Sequence, residues 1–342
     1  MNPNRLSRRR AVRALFGGAA AIVAGGCAVG GRQDGVRESG IGKSGARTAG
    51  SGDAVGNASA GDTSGRVAQP APNLLSLAQW SLHRMIRRGD LDPLDFPAFA
   101  RDRFGIGIVE YVNSFYATRE DGATWVTELA RRSGECGVTN RLIMCDGLGM
   151  VGDPDAVARA ATVAAHERWM DIAVALGCMA IRVNARSVGD ADEQVRLCAD
   201  GLRALCDAAR PRRLRVLVEN HGGLSCDGAW VARLMRAVNL PGCGTLPDFG
   251  NFTCADGTVA DRYAGVEAMM PWAGAVSAKS GSFDAEGNET VIDYPRMMRI
   301  VRAAGYSGPI GIEYEGKALG EIEGIEATKA LLLRLGCTLP GG

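Results

Sequence analysis

From residue 74 onward, short apolar runs recur along the chain. Between them lie longer stretches with apolar residues at helical spacing. The runs are "LLSLAQWSL" (74–82), "IGIVEYV" (106–112), "NRLIMC" (140–145), "MAIRVNA" (179–185), "RVLVEN" (215–220), "CGTLPD" (243–248), "AVSAKS" (275–280) and "PIGIEYE" (309–315). Each reads as a buried strand. The stretches between them carry helix signals. "PLDFPAFARDRF" opens on proline, and "TWVTELARRSGECG" and "DAVARAATVAAHERWMDIAVALG" end on glycine. "ADEQVRLCADGLRALCDAAR", "GAWVARLMRAVN", "RYAGVEAMMPWA" and "DYPRMMRIVRAAG" continue the pattern. Eight strands alternating with helices predict a (β/α)8 TIM barrel over residues 74–342. A doubly wound open sheet is the alternative, but strand 1 is followed by no glycine-rich phosphate fingerprint.

A barrel of this kind carries its site at the C-terminal strand ends. There the sequence places Gln79, Trp80 and His83 after strand 1, Glu110 and Asn113 on strand 2, and Asp146 after strand 3. Arg182 and Asn184 end strand 4, Glu219 and His221 strand 5, and Asp248 and Asn251 strand 6. Lys279 ends strand 7, and Glu313 and Glu315 end strand 8. Residues two apart on a strand share a face. Glu219 and His221 therefore point together if strand 5 extends that far, as do Ser277 and Lys279. With strands 5 to 8 side by side, Glu219, Asp248 and Glu313 are expected to converge. Three carboxylates that close repel one another unless a cation or protons stand among them. Oxygen ligands of this sort suit a divalent ion such as Mg²⁺ or Mn²⁺, with His221 as an imidazole ligand and Lys279 as a further positive charge.

Composition narrows the chemistry. The 342-residue chain has a net charge of +1, with Lys and Arg dispersed. Nothing in that pattern calls for nucleic acid as a partner. It has three histidines (His83, His166 and His221), too few for a multi-imidazole site. Ten cysteines occur without a C-x-x-C pair, and most fall in apolar segments. They are expected to be buried, reduced thiols, with one or two disulfides as the alternative.

The first 73 residues do not share the alternation. "SRRRAVRALFGGAAAIVAGGC" joins a twin arginine (Arg8, Arg9) to a weakly apolar stretch too short to span a bilayer stably. Residues 1–27 read as an export signal resembling the twin-arginine type, and Ala24-Gly25-Gly26-Cys27 resembles a lipoprotein box. Residues 28–73, rich in Gly, Ser, Ala and Asp, read as a flexible tether. The expected location is periplasmic or membrane-anchored, with membrane contact only through a lipid on Cys27.

"SLAQWSLHR", "GIVEYVN", "VENHGG", "GTLPDFGNF", "VSAKS" and "GIEYEG" together resemble the xylose-isomerase-like barrels of the sugar phosphate isomerase/epimerase kind. The resemblance covers roughly residues 74–336. It implies a divalent metal (Mn, Mg, Zn or Co) held by Glu219, Asp248 and Glu313, with a strand-7 histidine as fourth ligand. This chain has Ser277 at that position, and Asn251 where the family's Asp-x-x-His ends. It further implies proton abstraction beside a sugar carbonyl. Glu219 and Glu313 would be the acid–base pair, and Lys279 or a metal would stabilise the oxyanion. Trp80, His83, Glu110, Asn113, Asn184 and Asn251 are the candidate substrate contacts, with Trp80, Phe115 and Phe249 as apolar platforms. An exported enzyme rarely meets phosphorylated intermediates, so the expected substrate is a free sugar or keto-sugar. The same proton abstraction serves elimination or dehydration. A carbohydrate-binding lipoprotein that has lost catalysis is the non-enzymatic alternative.

Overall fold

Proline and glycine punctuation sets the element boundaries. The computed structural model describes residues 73–119 and 124–339. The export signal and nearly all of the tether therefore lie outside the described residues. The strands are β1 (Leu75–Ala78), β2 (Ile108–Val112), β3 (Thr139–Met144), β4 (Ala180–Asn184), β5 (Arg215–Glu219), β6 (Cys243–Leu246), β7 (Val276–Ser280) and β8 (Ile310–Tyr314). The helices are α1 (His83–Arg88), α2 (Phe96–Phe104), α3 (Thr124–Glu135), α4 (Ala156–Ala175), α5 (Ala191–Ala209), α6 (Gly228–Val238), α7 (Arg262–Met269), α8 (Tyr294–Ala303) and α9 (Glu321–Arg334). Asp155, Asp190, Asp227 and Asp261 cap α4 to α7, each accepting a backbone N–H in the first turn.

All strands are parallel, in the order β6-β5-β4-β3-β2-β1-β8-β7. β1 pairs with β8, Leu77 opposite Ile312. The β6–β7 seam carries bridges rather than a ladder, Thr245 to Ala273 and Asp248 to Ser277. Ser277 N–H donates to Pro247 O at 2.9 Å there, and Phe249 N–H to Ser277 O at 3.1 Å. The eight strands with helices between them form the expected TIM barrel.

Two expected strands stop early, for local reasons. Pro247 has no N–H to continue β6. Strand 1 turns into a 3₁₀ segment, Gln79–Leu82, because polar side chains take over its pairing. Gln79 Oε1 accepts from Val112 N–H at 3.0 Å, and Ser81 Oγ accepts from Tyr314 N–H at 3.0 Å. β5 ends at Glu219, so the two-residue alternation does not carry to His221.

The strand period divides the core in two. Leu77, Val109, Tyr111, Ile143, Ile181, Val183, Val216 and Val218 pack outward under the helices. Ala78, Val112, Leu142, Met144, Ala180, Leu217, Leu246 and Ala275 form a thin apolar layer inside the barrel. Glu110 is buried in the interior, where Ser76 Oγ donates to its Oε1 at 2.6 Å. A Cβ at Gly311 would fall 2.9 Å from that same carboxylate, so glycine is needed there.

The cysteines follow the reduced reading except at one place, where the disulfide alternative holds. Cys226 and Cys254 form a disulfide, with Cα atoms 5.3 Å apart. Both lie on loops at the same end of the barrel, after β5 and β6, and not inside strands. The other described cysteines are free, and all but Cys136 are buried.

Candidate active site

β4 to β8 deliver the site, and their alternation decides which side chains enter it. Ala180, Leu217 and Ala275 lie in the inner apolar layer. Two residues further along each strand stand Arg182, Glu219 and Ser277, the last followed by Lys279. Glu313 stands on β8. The carboxylate oxygens of Glu219, Asp248 and Glu313 lie within 4.8 Å of one another, all three residues buried.

What Glu219 faces is Arg182. Arg182 Nε lies 2.9 Å from Glu219 Oε2 in an ion contact off hydrogen-bond alignment. The same guanidinium donates to Asp146 Oδ1 at 2.6 Å. Lys279 supplies the second cation. Its Nζ lies 3.2 Å from Glu313 Oε1, 3.2 Å from Glu315 Oε2 and 3.9 Å from Asp248 Oδ2. Gly250 makes room for this lysine, since a Cβ there would meet Lys279 Cδ at 2.8 Å.

The two positions where the resemblance expects imidazoles do other work. Ser277 Oγ lies 2.7 Å from Asp248 Oδ2 and 3.0 Å from Glu313 Oε2, so its single proton serves one oxygen at a time. Asn251 donates from Nδ2 to Glu219 Oε1 at 3.3 Å and accepts from Lys279 Nζ at 3.0 Å.

Burial governs the electrostatics. Desolvation raises Glu219 well above the usual carboxylate range, with Glu313 and Asp248 adding to it and Arg182 opposing it. Asp248 is pushed up to about 6, again mainly by burial. Burial pulls Lys279 down, but the surrounding carboxylates outweigh it and hold its ammonium firmly charged. Burial raises Asp146, yet Arg182 outweighs that and holds it below its ordinary value. His221 is lowered, first by burial and then by Arg182.

Above the acids opens a cavity of about 560 Å³, lined by Trp80, Met144, Asp146, Leu148, Arg182, Asn184, His221 and Glu313 among others. Trp80 donates to Glu315 and stacks on His83. Asn184 donates to Asp146 Oδ1 at 2.7 Å. Asn113 is buried and tied to the backbone of Asp146 in both directions, so it positions that loop. Glu110 does not line the cavity, because it sits one interior layer below Val112, which does. Phe115 lies beside Trp80, ring centroids 6.0 Å apart. Phe249 is fully buried against Tyr294 and offers no platform. His221 lines the cavity with Nδ1 unpartnered, while the mutually close ligand atoms are those of the three acids.

A family model described as "Xylose isomerase-like TIM barrel" matches residues 100–334, more than half of the chain. The chain belongs to the xylose isomerase-like TIM barrel family. No curated protein matches it by sequence. Solved structures of similar fold include 3-keto-D-glucoside 4-epimerase YcjR from E. coli, at 16% identity and TM-score 0.58, over 71% of this chain and 94% of that one. A xylose isomerase-like TIM barrel protein from Mycobacterium smegmatis in complex with magnesium aligns at 15% identity and TM-score 0.56, over 78% and 97%. The IOLI protein with a bound zinc atom aligns at 12% identity and TM-score 0.59, over 78% and 100%.

Within this xylose isomerase-like barrel, the acidic triad fits a divalent ion by donor type and spacing. Each oxygen of Glu219 and Glu313 meets one protein donor or cation, which leaves a lone pair free for a metal, whereas Asp248 Oδ1 accepts from both Gly250 and Asn251 N–H at 2.8 Å. An ion there would share the acids with Lys279.

Arg182 is the partner of Glu219 that the sequence reading did not assign. The alternation Ala180, Arg182, Asn184 was its signal, since it puts a guanidinium inside an apolar strand next to the strand bearing Glu219.

Proposed function

We propose that the protein is a sugar isomerase or epimerase that removes and returns a proton beside a carbonyl of a non-phosphorylated sugar or keto-sugar. The observation that carries this reading is the convergence of Glu219, Asp248 and Glu313 with Lys279 and Arg182, a cluster that meets a cavity through Glu313 and Arg182. β5 and β8 are not neighbours, so Glu219 and Glu313 approach across the barrel mouth. They are the acid–base pair, and burial favours the proton-carrying form of Glu219. Lys279 supports the negative charge that develops on the carbonyl oxygen. Trp80 presents an apolar ring to the sugar, and Asn184 and His221 offer polar contacts from the wall. A divalent ion (Mg²⁺, Mn²⁺, Zn²⁺ or Co²⁺) held by Glu219, Asp248 and Glu313 would supply Lewis-acid polarisation of the carbonyl.

The Cys226–Cys254 disulfide supports an exported protein, since such bonds persist in oxidising compartments. This agrees with the twin-arginine signal and the lipid-accepting Cys27 read from the N-terminus.

The test is proton exchange in D₂O. Incubated with a panel of keto-sugars, the protein should place deuterium on the carbon next to the carbonyl, and Glu313→Gln should abolish it. Loss of water or a glycoside from the same substrates would redirect the reading to a lyase. Ser277, standing where the family pattern has histidine, favours one rival, a carbohydrate-binding protein. Saturable sugar binding with no exchange into any substrate would establish that rival.

A further inference from the structure

We propose that the substrate carries a carboxylate, held at the cavity wall by Arg87 and Arg186. This rests on the sugar-enzyme reading above and names the class of sugar.

The cavity is lined by three arginines, Arg87, Arg182 and Arg186, and by two acidic residues, Asp146 and Glu313. The carboxylates are already matched. Asp146 is paired with Arg182, and Glu313 with Lys279. Arg182 is in turn committed to Glu219. Arg87 and Arg186 are the wall cations left over. On α1, Arg84 pairs with Glu321 and Arg88 with Asp90, but Arg87 has no acid within ion-pair distance among the described residues. It lies over the Trp80 ring instead, 4.8 Å from the centroid. Arg186, just past β4, likewise has no acidic partner among the described residues. Both are exposed.

A free guanidinium offers a planar fork of donors that matches carboxylate or phosphate oxygens two at a time. Stacking on Trp80 restrains the Arg87 fork before any ligand arrives. Asp146 and Glu313 are thus matched within the lining, and Arg87 and Arg186 leave it with two uncompensated positive charges. A sugar bound with its carboxylate at Arg87 and Arg186 turns its neutral hydroxyl and carbonyl carbons to Glu313. The reverse orientation would set anion against acid.

The test is calorimetric titration of the full-length protein with D-glucuronate, D-glucose 6-phosphate and D-glucose. A charge-assisted contact at such a site should make D-glucuronate bind about tenfold tighter than D-glucose. The double variant Arg87→Gln/Arg186→Gln should bring that ratio close to one while glucose binding stays the same. Tighter binding of D-glucose 6-phosphate than of D-glucuronate would overturn the carboxylate assignment. Equal binding of glucose and glucuronate, an advantage that persists in the double variant, or no measurable binding of glucuronate would overturn it as well. Deuterium exchange into neutral keto-sugars without any charge preference would remove the anion site and keep the isomerase. A charge preference lost in the double variant, with no exchange into any substrate, would do the opposite.

Discussion

Replacing Lys279 with methionine removes the ammonium that lies against Glu313, Glu315 and Asp248. Leaving buried carboxylates without a partner costs about 3–5 kcal/mol. Lys279→Met should lower the unfolding free energy in urea by that order and eliminate turnover. It should also tighten Mn²⁺ binding in calorimetry, because the ion would no longer share the acids with a lysine. Full activity in the variant would defeat the assignment. Glu110 gives a pH test away from the site. Burial raises it from 4.5 to about 7, so the fold favours its protonated form. Its contribution is complete below pH 4.5 and is lost as pH rises through about 7, a loss of about 3 kcal/mol. Glu110→Gln should therefore gain melting temperature relative to the parent protein at pH 8 but not at pH 4.5. An equal difference at both values would show that Glu110 does not drive it. The acids of the site were legible as a list of strand ends. Their partners were not, because which cation meets which acid depends on register and side-chain reach. Lys279 could be placed by its period-two relation to Ser277. Arg182 could not be paired without knowing that Asn184 lies opposite Glu219.

Helices bracketed by strands and closed by glycine could be read from sequence. Gly137, Gly177 and Gly305 follow α3, α4 and α8 in the left-handed conformation that favours glycine. α1 and α9 could not. α1 has six residues with one buried side chain, Ile86, and α9 follows the last strand, where no further strand marks its end. The disulfide was also hidden, since a separation of 28 residues says nothing about which loops meet. It joins the β5–α6 and β6–α7 loops, the segments that carry His221 and Asn251. In the chain-entropy account, closing a loop of that size is worth about 3–4 kcal/mol. Cys226→Ala/Cys254→Ala should show a lower urea midpoint of that order. Thiol titration of the unfolded parent protein, isolated from an oxidising compartment, should find two fewer thiols than after reduction. A full thiol count before reduction would rule the bond out.

At the scale of the molecule, the TIM barrel followed directly from eight apolar runs at regular spacing, because each strand is buried on both faces and needs no partner-specific signal. Location belongs to the same scale. Arg8→Lys with Arg9→Lys should leave the protein in the cytoplasm, as cell fractionation would show. Normal export of that variant would remove the twin-arginine reading.

The pairing of β1 with β8 sets a timetable for synthesis. Leu75 lies opposite Ile310, so one edge of the first strand waits for almost the whole barrel to be made. At ribosomal rates that wait lasts roughly 10–50 s. During it the apolar "LLSLA" segment presents unsatisfied backbone groups to whatever is nearby. A growing chain of this design depends on a holding chaperone or on provisional contacts along that edge. Only release of the last strand lets the barrel shut and Glu313 and Glu315 meet Lys279.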